Sequence, residues 1–169
     1  MAVAELISAE QYLHTSFEHD AEFVEGRIVE RPLPTWEHSD IQGHLIEVLR
    51  PMGRKMGFYT VPEQRVRIRP NLVRIPDVCV VTEKPIVPTG GRIVTKPPYL
   101  CVEIHSPDDT TSETLEKVRE YLAFGVEWVW VIDPLTRTGQ IHSPSAVKTV
   151  DNGIFSTDRF KVDLSAAEL

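Results

Sequence analysis

The sequence is short of cysteine, long apolar runs and positive charge. Two cysteines among 169 residues cannot form a disulfide framework, and no CxxC pair offers a zinc-binding spacing, so both thiols are expected to be reduced. The longest apolar run, Trp128 to Ile132, falls far below the roughly 20 residues that a bilayer-spanning helix needs. Residues Met1 to Glu10 hold no basic segment and are interrupted by acids, which predicts no export signal and a soluble, cytoplasmic protein. With 18 basic and 25 acidic side chains the net charge is −7. That balance argues against a protein that coats nucleic acid by bulk electrostatics, because such affinity comes from lysine and arginine neutralising phosphates. A local basic face stays compatible with it. There is no internal repeat, and 9 glycines with 13 prolines are close to ordinary usage, which excludes a collagen-like or low-complexity chain.

What is present suits one domain over residues 1–169, since 41% of the residues are apolar and a chain of this length buries about 70% of its unfolded surface. Phe23 to Pro32 predicts a short hairpin turning at Glu25-Gly26 into a strand over Arg27–Glu30. Between His38 and Met52, Ile41, Leu45, Val48, Leu49 and Met52 fall on one helical stripe. Pro51 is expected to end or kink that helix, with Gly53 and Gly57 marking the turn. From Phe58 to Arg69 the period changes to two, and Arg65, Arg67 and Arg69 share one face of a strand, either as a phosphate-facing row or as an ordinary solvated face. After a turn at Pro70-Asn71, apolar strands are predicted over Ile75–Val81 and Leu100–Ser106, separated by a Pro/Gly-rich loop from Glu83 to Pro98.

A second helix follows, opened by caps within Asp108–Ser112, carrying Leu115, Val118 and Leu122 on its buried side, and closed by Gly125. Trp128 to Ile132 reads as a strand buried on both faces, with Trp128 and Trp130 as core or interface aromatics. Gln140–Ser143 and Val147–Phe155, the latter interrupted by Asp151-Asn-Gly153, read as a terminal β-hairpin. The order predicts an α/β (mixed α+β) fold, a mixed sheet flanked by helices with a C-terminal hairpin.

Two carboxylates sit where the strands are most apolar, Asp77 ahead of Val78-Cys-Val-Val81 and Glu103 within Leu100–Ile104. A charge there needs a partner. If the strands are antiparallel neighbours, the register that pairs Cys79 with Cys101 also sets Asp77 opposite Glu103. Opposed residues have Cβ atoms about 5 Å apart, where like charges repel unless a proton or a cation lies between them. A divalent ion such as Mg²⁺ or Mn²⁺, which prefers oxygen donors, is one solution. The other is that Asp77 caps a turn and Glu103 pairs with an arginine such as Arg65. His105 shares the face of Glu103, and Lys84 and Lys117 are the lysines placed to approach the pair. An ammonium there could orient a water or steady phosphorane charge. Cys79 and Cys101 are expected to be small buried hydrophobes.

Pro76-Asp77, Glu103-Ile-His-Ser-Pro107, Glu116-Lys117, Tyr121 and Gly125–Pro134, preceded by Glu22–Gly26 and Pro34–His38, together resemble the Uma-type family of candidate restriction endonucleases, within the PD-(D/E)xK nuclease-like superfamily. The resemblance covers roughly residues 22–134. It implies a restriction-endonuclease-like core in which Asp77, Glu103 and the Ile104 carbonyl hold a divalent metal, Mg²⁺ or Mn²⁺. It further implies Glu22 as an additional acid, a site-facing role for His38, and DNA as the substrate. Where the superfamily carries a lysine two positions after the second acid, this chain has His105, and Lys117 is the implied migrated replacement. The expected activity is metal-dependent hydrolysis of phosphodiester bonds in DNA. The alternatives are a nuclease fold without chemistry that acts as a binding or regulatory module, and a structural homodimer joined through the tryptophan-rich strand.

Overall fold

The computed structural model describes residues 6–18, 20–84 and 93–166. Helix α1 (Ala9–His14) leads into a hairpin of β1 (Ala21–Val24) and β2 (Arg27–Glu30), then the long helix α2 (Trp36–Met56). Strands β3 (Tyr59–Pro62), β4 (Val66–Arg69), β5 (Leu72–Arg74), β6 (Val78–Val81) and β7 (Leu100–Ile104) follow, then α3 (Thr111–Phe124) and β8 (Trp128–Asp133). The chain ends through β9 (Thr138–His142), β10 (Val147–Val150), β11 (Ile154–Ser156) and β12 (Lys161–Asp163), followed by a 3₁₀ turn over Leu164–Ala166. A six-stranded mixed sheet runs β10-β9-β8-β7-β6-β3, a four-stranded antiparallel sheet runs β2-β1-β5-β4, and β11 pairs with β12.

Strands β7 and β8 are parallel, with Leu100 beside Trp128 and Ile104 beside Ile132, and α3 is the crossover that a parallel pair requires. Both faces of this sheet are covered, which is why β6 and β7 read as unbroken apolar runs rather than alternating ones. Side-chain parity sorts them. Val78, Val80, Leu100, Val102, Ile104, Trp130 and Ile132 point to one face and pack with Ile41, Leu45 and Leu49 of α2. Cys79, Val81, Cys101, Val129 and Val131 point to the other and pack with Val118 and Tyr121 of α3. Trp130 is fully buried and Trp128 packs partly buried against the same cluster. Both cysteines are free and buried, as expected; burial pushes the Cys79 thiol up to about 12.

Several expectations need correction. Helix α2 runs through Pro51 to Met56; Pro51 sits on the exposed side, and the α2 stripe packed against the sheet outweighs the local cost of one missing N–H. Gly57, with φ 77°, is the left-handed cap, whereas Gly53 lies within the helix, where the Phe58 carbonyl and ring take the place of a Cβ. Phe58–Arg69 is not one strand: β3 joins the large sheet and β4 the small one. The arginine row is dispersed, since Arg65 lies over the Tyr12 ring at 4.9 Å and Arg69 pairs with Glu25. The hairpin of Gln140–Ser143 with Val147 onwards forms as β9 and β10, and the strand breaks at Asp151-Asn-Gly153 as expected; only its last part differs, β11 pairing separately with β12. Within the predicted Glu83–Pro98 loop, residues 85–92 lie outside the described residues, and Val94 bridges to Val66. Helix α1 had a readable signal that periodicity missed, the capping box of Ser8 and Gln11.

Candidate functional site

Strands β6 and β7 pair as Val78 with Val102, Cys79 with Cys101 and Val80 with Leu100, the register that sets Asp77 and Glu103 opposite each other at one end. Glu103 shares parity with Cys101 and therefore faces α3, where Lys117 and Tyr121 stand one helical turn apart. Tyr121 donates its hydroxyl to Glu103 Oε1 at 2.6 Å, and Lys117 Nζ donates to Oε2 at 3.1 Å. The Arg65 pairing considered for Glu103 is not made; Lys117 takes that place. Asp77 precedes its strand, so its carboxylate escapes the strict alternation. Its Oδ2 accepts from the Ile104 N–H at 2.6 Å, while Oδ1 meets both Arg31 Nη2 and His38 Nε2. His38 reaches it because Thr35 caps α2 and sets His38 in the first turn.

Glu22 arrives from the other sheet. Phe23 stacks on Tyr12, so its neighbour on β1 turns the opposite way. Glu22 Oε1 accepts from the Ile75 N–H at 3.0 Å and meets Lys117 Nζ at 3.3 Å, and Oε2 accepts from Arg74 at 2.7 Å. Arg74 also donates to Glu120. Lys117 thus bridges two acids from two sheets. A small cleft lined by Arg31, His38, Asp77, Glu103, Ile104 and Lys117 opens over the pair. His105 lies on its extension with Glu113 and Thr114, and its own N–H goes to Ile132 O. Lys84 lies over the Tyr59 ring instead.

The three acids are unequal electrostatically. Burial pushes the Glu103 carboxyl up to about 7; Lys117 opposes this, and Asp77 and Glu22 add to it. Burial acts on Glu22 in the same direction, but Lys117, Arg74 and the Ile75 N–H more than reverse it and hold that carboxyl below the usual range. For Asp77, burial is outweighed by His38, Arg31 and the Ile104 N–H, and its carboxyl also lies low. Lys117 loses from burial and gains more from Glu103 and Glu22, so its ammonium is held charged.

The donor set fits a hard divalent ion. Each carboxylate oxygen offers two lone pairs, and Asp77 Oδ2 and both Glu103 oxygens each spend one on the contacts above, leaving a free acceptor position on each. Glu22, Asp77 and Glu103 lie buried together with Arg31, His38, Arg74 and Lys117, and the burial and neighbouring acids that raise Glu103 are what a bound cation would offset. Carboxylates plus a backbone carbonyl and water suit Mg²⁺ better than a cage of protein ligands does. Among the described residues no group of three or more His, Cys, Asp or Glu stands in metal-holding geometry.

Asp77, Glu103, Glu22, His38 and Lys117, all marked out from sequence, therefore come together, while His105 lies to one side. Sequence reasoning missed Arg31, Arg74, Glu120 and the bond of Tyr121 to Glu103. Only the last had a local signal, the i, i+4 spacing from Lys117.

Among solved structures, one described as "a putative nuclease belonging to DUF820" from Anabaena variabilis is 23% identical, covers 89% of each chain and superposes with a TM-score of 0.78; the two share a fold. No curated protein matches the chain. The Uma2 family, described as "Putative restriction endonuclease", matches residues 9–160, reaching beyond the motifs at both ends to take in α1 and most of the C-terminal strands. The family match spans nearly the whole chain and its description supports a nuclease function, and the chain belongs to the Uma2 family.

Proposed function

We propose that this protein is a metal-dependent endonuclease that hydrolyses phosphodiester bonds in DNA, working as one domain over residues 1–169. The observation that carries this reading is the opposed pair Asp77 and Glu103 with the Lys117 ammonium against Glu103. Asp77, Glu103 and the Ile104 carbonyl would hold Mg²⁺ or Mn²⁺, which supplies Lewis-acid polarisation of the phosphate and a lowered pKa for water. Lys117, fixed between Glu22 and Glu103, orients the attacking water and offsets charge that develops on the phosphorus oxygens. His105, on the adjoining extension of the cleft, is the alternative group for that proton. Tyr121 fixes the Glu103 rotamer, and Arg74 with Glu120 fixes Glu22. A cytoplasmic setting fits this chemistry, and a homodimer would present two such clusters to the two strands of a duplex.

Calorimetric titration with Mn²⁺ and nicking of supercoiled plasmid test the proposal. Wild type is expected to bind Mn²⁺ saturably and to nick; Asp77→Ala loses both, and Lys117→Met keeps the metal while cleavage falls by about 10²–10⁴-fold, the range for a positioned acid–base group. Metal binding and cleavage at wild-type levels in Asp77→Ala would overturn it. A second reading, a nuclease fold that binds without cutting, is favoured by one observation: Arg31 and His38 already satisfy Asp77 without any metal. Cleavage that copurifies with wild type and vanishes in Glu103→Ala removes that reading.

A further inference from the structure

Arg31 was not marked by any motif, yet it makes the most direct cationic contact with Asp77. It stands just past β2, with its backbone N–H tied to Asp20 O. Its Nη2 lies on Asp77 Oδ1, while its other arm, Nη1, sits 3.6 Å from Glu63, beyond hydrogen-bond reach. The guanidinium thus engages Asp77 through one arm, although its fork is shaped for two parallel bonds to a carboxylate or phosphate. Glu63 is 43% exposed at the side chain and Arg31 15%, so the pair lies at the mouth of the cleft. Asp77 Oδ1 has both acceptor positions filled, by Arg31 and by His38. A divalent ion on the remaining position of Oδ2 would share one carboxylate with a fixed positive charge.

We propose that Arg31 is a resident cation on Asp77 which a substrate phosphate draws away, so that metal capture and phosphodiester binding reinforce each other. This rests on the metal-site reading above and deepens it. A phosphate entering the cleft offers Arg31 the bidentate partner that Asp77 does not, and once the guanidinium turns to it, Asp77 is released to the metal. By linkage the effect is reciprocal: bound metal repels Arg31 from Asp77 and leaves it free for phosphate. Lys117 cannot play this part, because it is held by two acids at once, and an ammonium lacks the planar fork.

The test is Mn²⁺ titration by calorimetry at low salt on wild type, Arg31→Met, Arg31→Gln and Arg31→Lys, with and without a short phosphorothioate duplex DNA. Arg31→Met and Arg31→Gln are expected to bind Mn²⁺ about 10-fold tighter than wild type without DNA, within the usual range of coupling between sites. Arg31→Lys stays near wild type because it keeps the charge. The duplex tightens Mn²⁺ binding to wild type by about 10-fold more than it does to the two neutral variants. Equal Mn²⁺ affinity in wild type and both neutral variants overturns the role of Arg31 while sparing the metal site. Tightening in the variants with no response of wild type to the duplex overturns the coupling to substrate. No saturable Mn²⁺ binding by any of the four, with or without duplex, removes the metal site and this inference with it.

Discussion

The two faces of the six-stranded sheet meet their helices on different terms. Apart from His38 and Gln42 in the first turns of α2, which meet Asp77, the contact against α2 is dry: Ile41, Leu45 and Leu49, each 1% exposed or less, pack on Val78, Val80, Leu100, Val102 and Ile104. Against α3 the same strands present Cys79, Cys101 and then Glu103, and the helix answers with Val118 and then Lys117 and Tyr121. One face holds the fold together by excluding water, at about 25 cal/mol per Å² of apolar surface buried. The other gives up part of that burial to hold charges that need specific partners. The difference teaches where chemistry can sit in such a layer: at the strand ends nearest the helix start, where a charged residue can be buried yet still reach a cleft.

Three substitutions would sharpen or break this contrast. The largest stability loss is expected from Arg74→Ala on the charged side, because it leaves Glu22 and Glu120 buried without their shared cation; removing one partner of a buried pair costs about 3–5 kcal/mol, read by urea denaturation in EDTA. Leu45→Ala on the dry side should cost about 2–5 kcal/mol in the same assay, with Mn²⁺ affinity of the folded protein unchanged. A loss of Mn²⁺ binding in folded Leu45→Ala would show that the two faces are not separable. The smallest effect belongs to Arg69→Ala. Its partner Glu25 is bonded at 2.6 Å, as closely as Glu22 is to Arg74, but both side chains are about half exposed; such pairs are worth up to about 1 kcal/mol. A loss from Arg69→Ala equal to that from Arg74→Ala would mean that burial is not what separates these pairs.

Much of this was legible in the residues. Short unbroken apolar runs located β6, β7 and β8, the 3.6-residue period located α2 and α3, and the shared register of Cys79 with Cys101 put Asp77 opposite Glu103. Family motifs added Glu22, His38 and Lys117, which come together at that pair. What failed did so where a local rule met a tertiary contact. Pro51 should interrupt α2, but burial of the helix stripe carries it through to Gly57. The alternation from Phe58 to Arg69 looks like one strand, but its halves serve two sheets.

The amino-acid sequence by itself determined the main elements and, for antiparallel neighbours, a register that opposes the two acids, because side-chain period is a short-range property of the chain. The partners of those acids were decided by the tertiary structure alone. Arg31 reaches Asp77 across 46 residues, and Glu22 and Arg74, 52 residues apart, meet Lys117 and Glu120 from α3. A buried charge takes whatever counter-charge the packing brings within a few ångströms, and no spacing along the chain encodes that distance.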